Sequence, residues 1–286
     1  MLDIEDVRRI IREGVPALDL ASLRFFAEGW DYEMWEMDGD LLFRLPKRDE
    51  CIAPLAVEAR LLSELAQSLS VAVPRPEHVT AGFFSYRKLS GVPLSDVRLL
   101  DQARLAIARA LGRFLSELHR FPVERARTLG VRVYDPATRY TRMRDEVLGQ
   151  TERVLTERDK RAIGAFWQDF LTNDAYARFA PRLTHGDLDD AHVLVETGRG
   201  EIAGVIDFGD ARIGDPALDF AGFEGTFREA LLSSYDLRAD ETLRERADIY
   251  RRKISPLHGL LHGIKIGDDA WIERGLAALR EGLGCS

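Results

Sequence analysis

The sequence predicts an α+β protein in two lobes: a small strand-rich lobe with one helix over residues 1–88, and a larger, mainly helical lobe over 89–286. Three observations lead there. The first 90 residues hold aromatic- and β-branched-rich stretches set around turn signals. From residue 101 onward apolar residues recur at helical spacing. Only 182–208 then returns briefly to strand character.

Along the chain, "LRFFAEGWDYEMWEMDGDLLFRLPK" (23–47) carries apolar residues on both sides of Asp38–Gly39, a pair suited to tight hairpin turns. It reads as a hairpin whose second strand ends at Pro46. "PLAVEARLLSELAQSL" (54–69) puts Leu55, Glu58, Leu61, Leu62 and Leu65 at helical spacing. "VPRPEHV" breaks that helix, and "GFFSYRKLSG" (82–91) reads as a short strand ending at Gly91. A core helix over 101–120 aligns Leu105, Ala108, Leu111, Leu115 and Leu118, and a second follows over 160–171. The segment 182–208 reads as a loop, a strand, a turn at "TGRG" and a second strand ending in Asp207, and 217–281 reads as mostly helical. The lobes are expected to join near residues 86–91.

The chain has 286 residues, 45% of them hydrophobic and 31% charged, which suits a globular protein with core enough to surround a cleft. No window reaches the ~18 uninterrupted apolar residues of a membrane span. The opening "MLDIEDVRRIIREG" lacks the apolar region of a secretory signal. Cys51 and Cys285 are too few and too far apart for a disulfide framework or a zinc site. A reduced, cytoplasmic setting without membrane contact is therefore expected, as is a monomer. The net charge of −8 is uneven: residues 181–286 carry 20 acids against 13 bases, whereas the first 180 carry 28 against 27. An acidic C-terminal third makes a poor nucleic-acid surface. It is either a solvated helical exterior or a surface that attracts a polycationic small molecule.

Chemistry concentrates in "HGDLDDAHVLV" (185–195) and "DFGD" (207–210). A hairpin over 182–208 would carry the loop with Asp187 and His192 to the strand end at Asp207, so that two carboxylates and an imidazole meet at one rim. Single aspartates often only cap turns; the spacing of the whole set favours a site.

With "VIDFGDARIGDPALDFAGF" behind it, this stretch resembles the antibiotic phosphotransferases of protein-kinase-like fold, above all the aminoglycoside 2″-phosphotransferases. "SYRKLSGVPL" (85–94) resembles their interlobe hinge and "GDDAWIERGLAALR" (267–280) their last helix, so the likeness runs from about residue 20 onward. The resemblance implies that Asp187 accepts or orients the proton of the attacking hydroxyl, and that Asp207 and His192 hold Mg2+, with Mn2+ an alternative, on the phosphates of ATP or GTP. It makes His185 and Asp219 loop-bracing residues.

In the small lobe the resemblance pairs Glu58 with Arg44, which stands where many relatives carry lysine; Lys47, beyond Pro46, reads as a strand-end surface residue. It assigns Ser85, Tyr86, Arg87 and Lys88 to the nucleotide hinge. Gly29 stands without a glycine-rich motif. For the acceptor, Asp210, Glu224, Glu229, Asp268, Asp269 and Trp271 are candidates, their acids facing substrate ammonium groups and the indole a sugar ring. Asp268 and Asp269 equally suit a helix start. The expected activity is phosphoryl transfer from a nucleoside triphosphate to an aminoglycoside, at the 2″-hydroxyl. A macrolide 2′-phosphotransferase, a kinase of a small metabolite such as choline or homoserine, and a nucleotide-binding pseudokinase scaffold are the alternatives.

Overall fold

Asp38 and Gly39 both take positive φ, 54° and 74°, as the tight turn between strands β2 (Tyr32–Met37) and β3 (Leu41–Pro46) requires. In the computed structural model, which describes residues 2–150, 154–173, 176, 178–197, 200–238 and 240–284, a further strand, β1 (Arg24–Glu28), pairs with β2. The aromatic stretch is thus a three-stranded meander and not a lone hairpin, because the chain turns again at 29–31. The "VPRPEHV" break also holds a strand, β4 (Pro76–Val79), which pairs at the edge with β5 (Phe84–Arg87). An edge tolerates proline, which explains why the sequence signal was a break. The antiparallel sheet runs β1-β2-β3-β5-β4.

Alternation along β3 sends its side chains to two cores. Leu41, Phe43 and Leu45 pack with Trp35, Phe83 and the residues Val7 and Ile11 of helix α1 (Ile4–Gly14). Leu42 turns the other way, joining Phe84, Tyr86 and the leucines of α2 (Ile52–Ser68) in the core that continues into the larger lobe. Arg44 shares the parity of Leu42, so it is directed between the lobes.

The chain crosses to the larger lobe through β6 (Val92–Pro93), which pairs with the β8 (Val193–Glu196) and β9 (Glu201–Val205) hairpin. The "TGRG" turn of that hairpin lies in part outside the described residues. Strand β7 (Arg182–Thr184) pairs with β10 (Arg212–Gly214). Around these short strands stand α3 (Asp101–Arg120), α4 (Val123–Leu129), α5 (Pro136–Gln150), α6 (Glu157–Thr172), α7 (Gly225–Ser233), α8 (Leu243–Ile249), α9 (Ser255–Ile266) and α10 (Asp269–Leu283). Helices α3 and α7 approach through Gly112, where a Cβ would lie 2.2 Å from the Leu231 carbonyl oxygen. No helix among the described residues is long and apolar enough to cross a membrane. The result is an α+β chain with a small antiparallel-sheet lobe and a larger helical lobe.

Helix α10 is tied back to α6 by Asp159. This buried carboxylate completes the capping box with Thr156 and accepts two hydrogen bonds from Arg280 (3.0 and 2.8 Å). Those bonds outweigh desolvation and hold its pKa below the ordinary aspartate value. A depressed native pKa adds stability above the unfolded value that disappears as pH falls toward the native one. Asp159→Asn should cost about 2 kcal/mol near neutral pH, and the gap between wild type and variant should close as pH falls below about 4. Thermal melts at the two pH values check both.

Candidate active site

Strand β7 delivers the "HGD" loop, and a buried carboxylate fixes it. Asp219 accepts the main-chain N–H of His185 and of Gly186, both at 2.8 Å, and the Nε2–H of His119 at 3.0 Å. Burial alone would raise its pKa; His119 and these N–H groups hold it lowered. His185 is fully buried. Its Nε2–H donates to the Ile206 carbonyl (2.9 Å) while Nδ1 accepts the Asp187 N–H (3.3 Å), and desolvation lowers its pKa. The ring is thus a neutral strut between the loop and the end of β9. Gly186 has φ 89°, and a Cβ there would meet the Asp210 carbonyl at 2.3 Å, so only glycine fits. Arg212 completes the frame by donating to the carbonyls of Asp210 (2.9 Å) and Gly186 (2.7 Å).

This frame leaves the Asp187 carboxylate open at the cleft floor with protein on several sides. Partial desolvation raises its pKa, against the pull of His192. His192 donates from Nδ1 to the Asp187 carbonyl oxygen at 2.6 Å. That oxygen only accepts, so in the neutral ring Nε2 keeps its lone pair. Nε2 points to Asp207 Oδ2, 3.8 Å away. Asp207 itself has φ 65°, one of two non-glycine residues in the left-handed region among the described residues. Strain at such a residue accompanies functional sites when surrounding contacts enforce it.

Those contacts come from the small lobe. Arg44 donates to Asp207 Oδ1 (2.9 Å), and its Nε lies 3.1 Å from Glu58 Oε2. Tyr32 backs the guanidinium, with Cζ 4.2 Å from the ring centroid. Burial and Asp207 push the Glu58 carboxyl up to about 7 in spite of Arg44. Burial would also raise Asp207, but Arg44 and the histidines lower it. Gly209 seals the trio: a Cβ there would sit 2.7 Å from an Arg44 terminal nitrogen. Lys47, by contrast, reaches out to the Gly29 carbonyl (2.8 Å) and Glu28.

One cleft of roughly 2490 Å³ contains Arg44, Glu58, Asp187, His192 and Asp207. It exceeds the ~1,000 Å³ upper range of single-ligand pockets. Asp210, Glu224 and Trp271 line it; Glu229, Asp268 and Asp269 do not. Glu229 pairs instead with Arg244 on α8. Asp268 is the N-cap of α10, accepting the Trp271 N–H at 3.0 Å, so the helix start is what uses it. Glu224 is engaged by Arg251 at 3.0 Å.

The side chains of the predicted hinge also lie off the cleft wall. Ser85 bonds His78 (2.8 Å), Arg87 bonds Asp40 (2.7 Å) and Glu77 (3.3 Å), and Lys88 bonds Glu36 (3.0 Å), while Tyr86 is packed in the core. Two features were not foreseen. Neither the buried His119 at the end of α3 nor Trp30 in the β1–β2 loop was singled out for the site from the sequence. Trp30 in fact lies against His262 of α9, with ring centroids 3.5 Å apart and planes tilted by 41°, bringing the β1–β2 loop onto the cleft rim.

Among the described residues no cluster of three or more His, Cys, Asp or Glu side chains gathers to hold a metal. His192 Nε2 and the Asp207 carboxylate form a two-donor set, which fits a divalent cation that takes its remaining ligands from phosphate and water. Gly209→Ala should displace Arg44 from Asp207 and lower nucleotide turnover by about tenfold, ~1.4 kcal/mol, with little change in melting temperature. Unchanged turnover would remove the trio from the site.

Residues 22–252 match the APH model, the phosphotransferase enzyme family. The viomycin phosphotransferase of Streptomyces vinaceus is 26% identical over 250 residues, 83% of this chain and 82% of that protein. Among solved structures, the GDP and kanamycin complex of an aminoglycoside 2″-phosphotransferase superposes with a TM-score of 0.86 at 27% identity, covering 98% of each chain. The macrolide 2′-phosphotransferase MphH of Brachybacterium faecium superposes with a TM-score of 0.72 at 28% identity, covering 97% of each. The chain belongs to the phosphotransferase enzyme family.

Proposed function

We propose that this chain transfers the γ-phosphoryl group of ATP or GTP to a hydroxyl of a small molecule, in the manner of the antibiotic kinases. The observation that carries this reading is the line Glu58–Arg44–Asp207–His192–Asp187, which crosses both lobes inside one cleft. Phosphoryl transfer is mainly positioning and charge neutralisation, and each member of the line supplies one of these. Arg44 offers its guanidinium to phosphate oxygens while Glu58 and Tyr32 hold it in place. His192 and Asp207 hold Mg2+, or Mn2+, which neutralises the nucleotide phosphates when bound. Asp187 takes the proton of the acceptor hydroxyl as its oxygen bonds the γ-phosphorus, and the bond to the β-phosphate oxygen breaks, leaving nucleoside diphosphate. Partial desolvation moves Asp187 in the direction a base needs.

The finer form of this reading is an aminoglycoside acceptor modified at the 2″-hydroxyl. It rests on the kanamycin-bound neighbour and on Trp271 and Asp210 in the cleft. The acids expected to hold ammonium groups do not support it: Glu224 is paired, and Glu229, Asp268 and Asp269 lie elsewhere. The macrolide alternative shares His192 in kind and calls for a broad apolar pocket; this cleft mixes charged side chains with apolar ones such as Leu188, Leu218 and Leu261.

Asp187→Asn should lower kcat by about 10³-fold while nucleotide affinity stays near wild type; near-normal kcat in the folded variant removes Asp187 from the mechanism. His192→Asn should retain part of the turnover at a higher magnesium requirement, because an amide oxygen still offers a ligand, whereas His192→Leu should abolish metal-dependent turnover. A folded leucine variant with wild-type magnesium dependence would exclude the ligand role. Turnover of either nucleotide by wild type separates all of this from a pseudokinase scaffold.

A further inference from the structure

Of the two contacts in the ion trio, Arg44 with Asp207 is a hydrogen bond and Arg44 with Glu58 is not. Arg44 Nε and Glu58 Oε2 are both buried and 3.1 Å apart, without hydrogen-bond alignment. Such a contact supplies charge attraction but little direction. It therefore depends on where α2 is held, and the hold comes from outside the trio.

Helix α2 presents Val57, Arg60 and Glu64 on one face by their three- and four-residue spacing. That face lies against the end of α4. Arg60 donates from Nε (3.2 Å) and Nη2 (3.0 Å) to the carbonyl of Leu129, the last residue of α4. Carbonyls at a helix C-terminus lack helical partners and carry partial negative charge, which a guanidinium satisfies. Gly130 follows with φ 94°, and a Cβ there would lie 3.1 Å from Val57 and 3.4 Å from Arg60 Nη2. One turn further along α2, Glu64 receives Arg125 of α4, whose Nε bonds both carboxylate oxygens at 2.9 and 3.0 Å. Glu58 thus sits between the two residues, Val57 and Arg60, that touch the α4 end.

The α4 end is in turn registered on the frame of the "HGD" loop. Past Gly130 the chain at 132–134 runs along β10, with the Ile213 N–H bonded to the Arg132 carbonyl (2.8 Å) and the Tyr134 N–H to the Ile213 carbonyl (2.7 Å). Between them on β10, Arg212 holds the Gly186 and Asp210 carbonyls. The short stretch 129–134 therefore ties α2, and Glu58 with it, to the same strand that braces Gly186 and the turn after Asp207.

Resting on the phosphotransferase reading, we propose that Arg60 is a positioning residue for the nucleotide: it anchors α2 on the end of α4 so that Glu58 holds Arg44 against Asp207, ready for the phosphates. Arg60 itself is exposed, and exposed side chains of this kind contribute little to stability. Its loss is therefore read at the nucleotide and not in the melting temperature.

The test titrates N-methylanthraniloyl-labelled GTP and ATP, each with Mg2+, onto the full chain by fluorescence, with melting temperatures taken alongside. Arg60→Gln should weaken binding of the nucleotide that wild type takes by about tenfold, with a melting temperature near wild type. Arg60→Lys, which keeps a donor for the Leu129 carbonyl, should recover part of the affinity. In a Glu58→Gln background the Arg60→Gln change should add little, because Arg60 works through Glu58, whereas a general loosening of the fold would add in full. The inference is overturned if Arg60→Gln binds nucleotide as wild type does or does not fold, if Arg60→Lys recovers nothing, or if the effects of Glu58→Gln and Arg60→Gln add. A wild type that binds neither labelled nucleotide overturns the phosphotransferase reading itself; one that binds while the Arg60 variants match it overturns only the role of Arg60.

Discussion

A single buried carboxylate sets the active cleft. Asp219 has no exposure to water, and its charge is balanced by the N–H groups of His185 and Gly186 and by His119, which α3 supplies and Tyr235 backs with a 2.8 Å hydrogen bond. Removing such an acceptor strands several buried donors, each at a cost of about 1–3 kcal/mol. The loop conformation therefore follows from the helical floor. Once His185 and Gly186 are fixed, the Asp187 carbonyl is placed to receive His192, and the imidazole is turned toward Asp207. Each polar group in "HGDLDDAHVLV" has a partner or a cleft to face, while Val193 and Val195 anchor the segment in the core behind it. That is why so polar a stretch leads straight into a buried strand.

The second constraint spans the lobes. Arg44 stands with its charge between Glu58 on α2 and Asp207 after β9, and it is nearly buried. An ion trio of this kind depends on all three elements being in register, so the position of α2 against the larger lobe and the geometry of the cleft at Asp207 are one question. The tilted Trp30–His262 contact is a second bridge between the lobes, with Trp271 edge-on to His262 at 5.3 Å. The β1–β2 loop of the small lobe thus rests on helix α9 of the larger one.

Charge along the chain and charge in space differ. The excess of acids in the last third is spent on the exterior and on ion pairs, as with Asp215 and Asp240 around the buried Arg246, or Glu229 with Arg244. Net charge by segment is a statement about composition, whereas recognition depends on which charges are left without partners after folding.

The sequence by itself determined the α+β class, the helices at 52–68 and 101–120 within a few residues, the turn at Asp38–Gly39, and the grouping of Asp187, His192 and Asp207. These are local matters: periodicity, turn chemistry and short spacing along one hairpin. It also paired Arg44 with Glu58, but through resemblance to a family and not through spacing. Tertiary structure decided what depends on partners far apart in the chain. It split the first hairpin into a meander, made an edge strand of a proline-rich break, gave Asp268 to a helix cap and sent Glu229 to the outside. A carboxylate's role depends on whether a cation reaches it first, and that is settled only when helices distant in sequence come together.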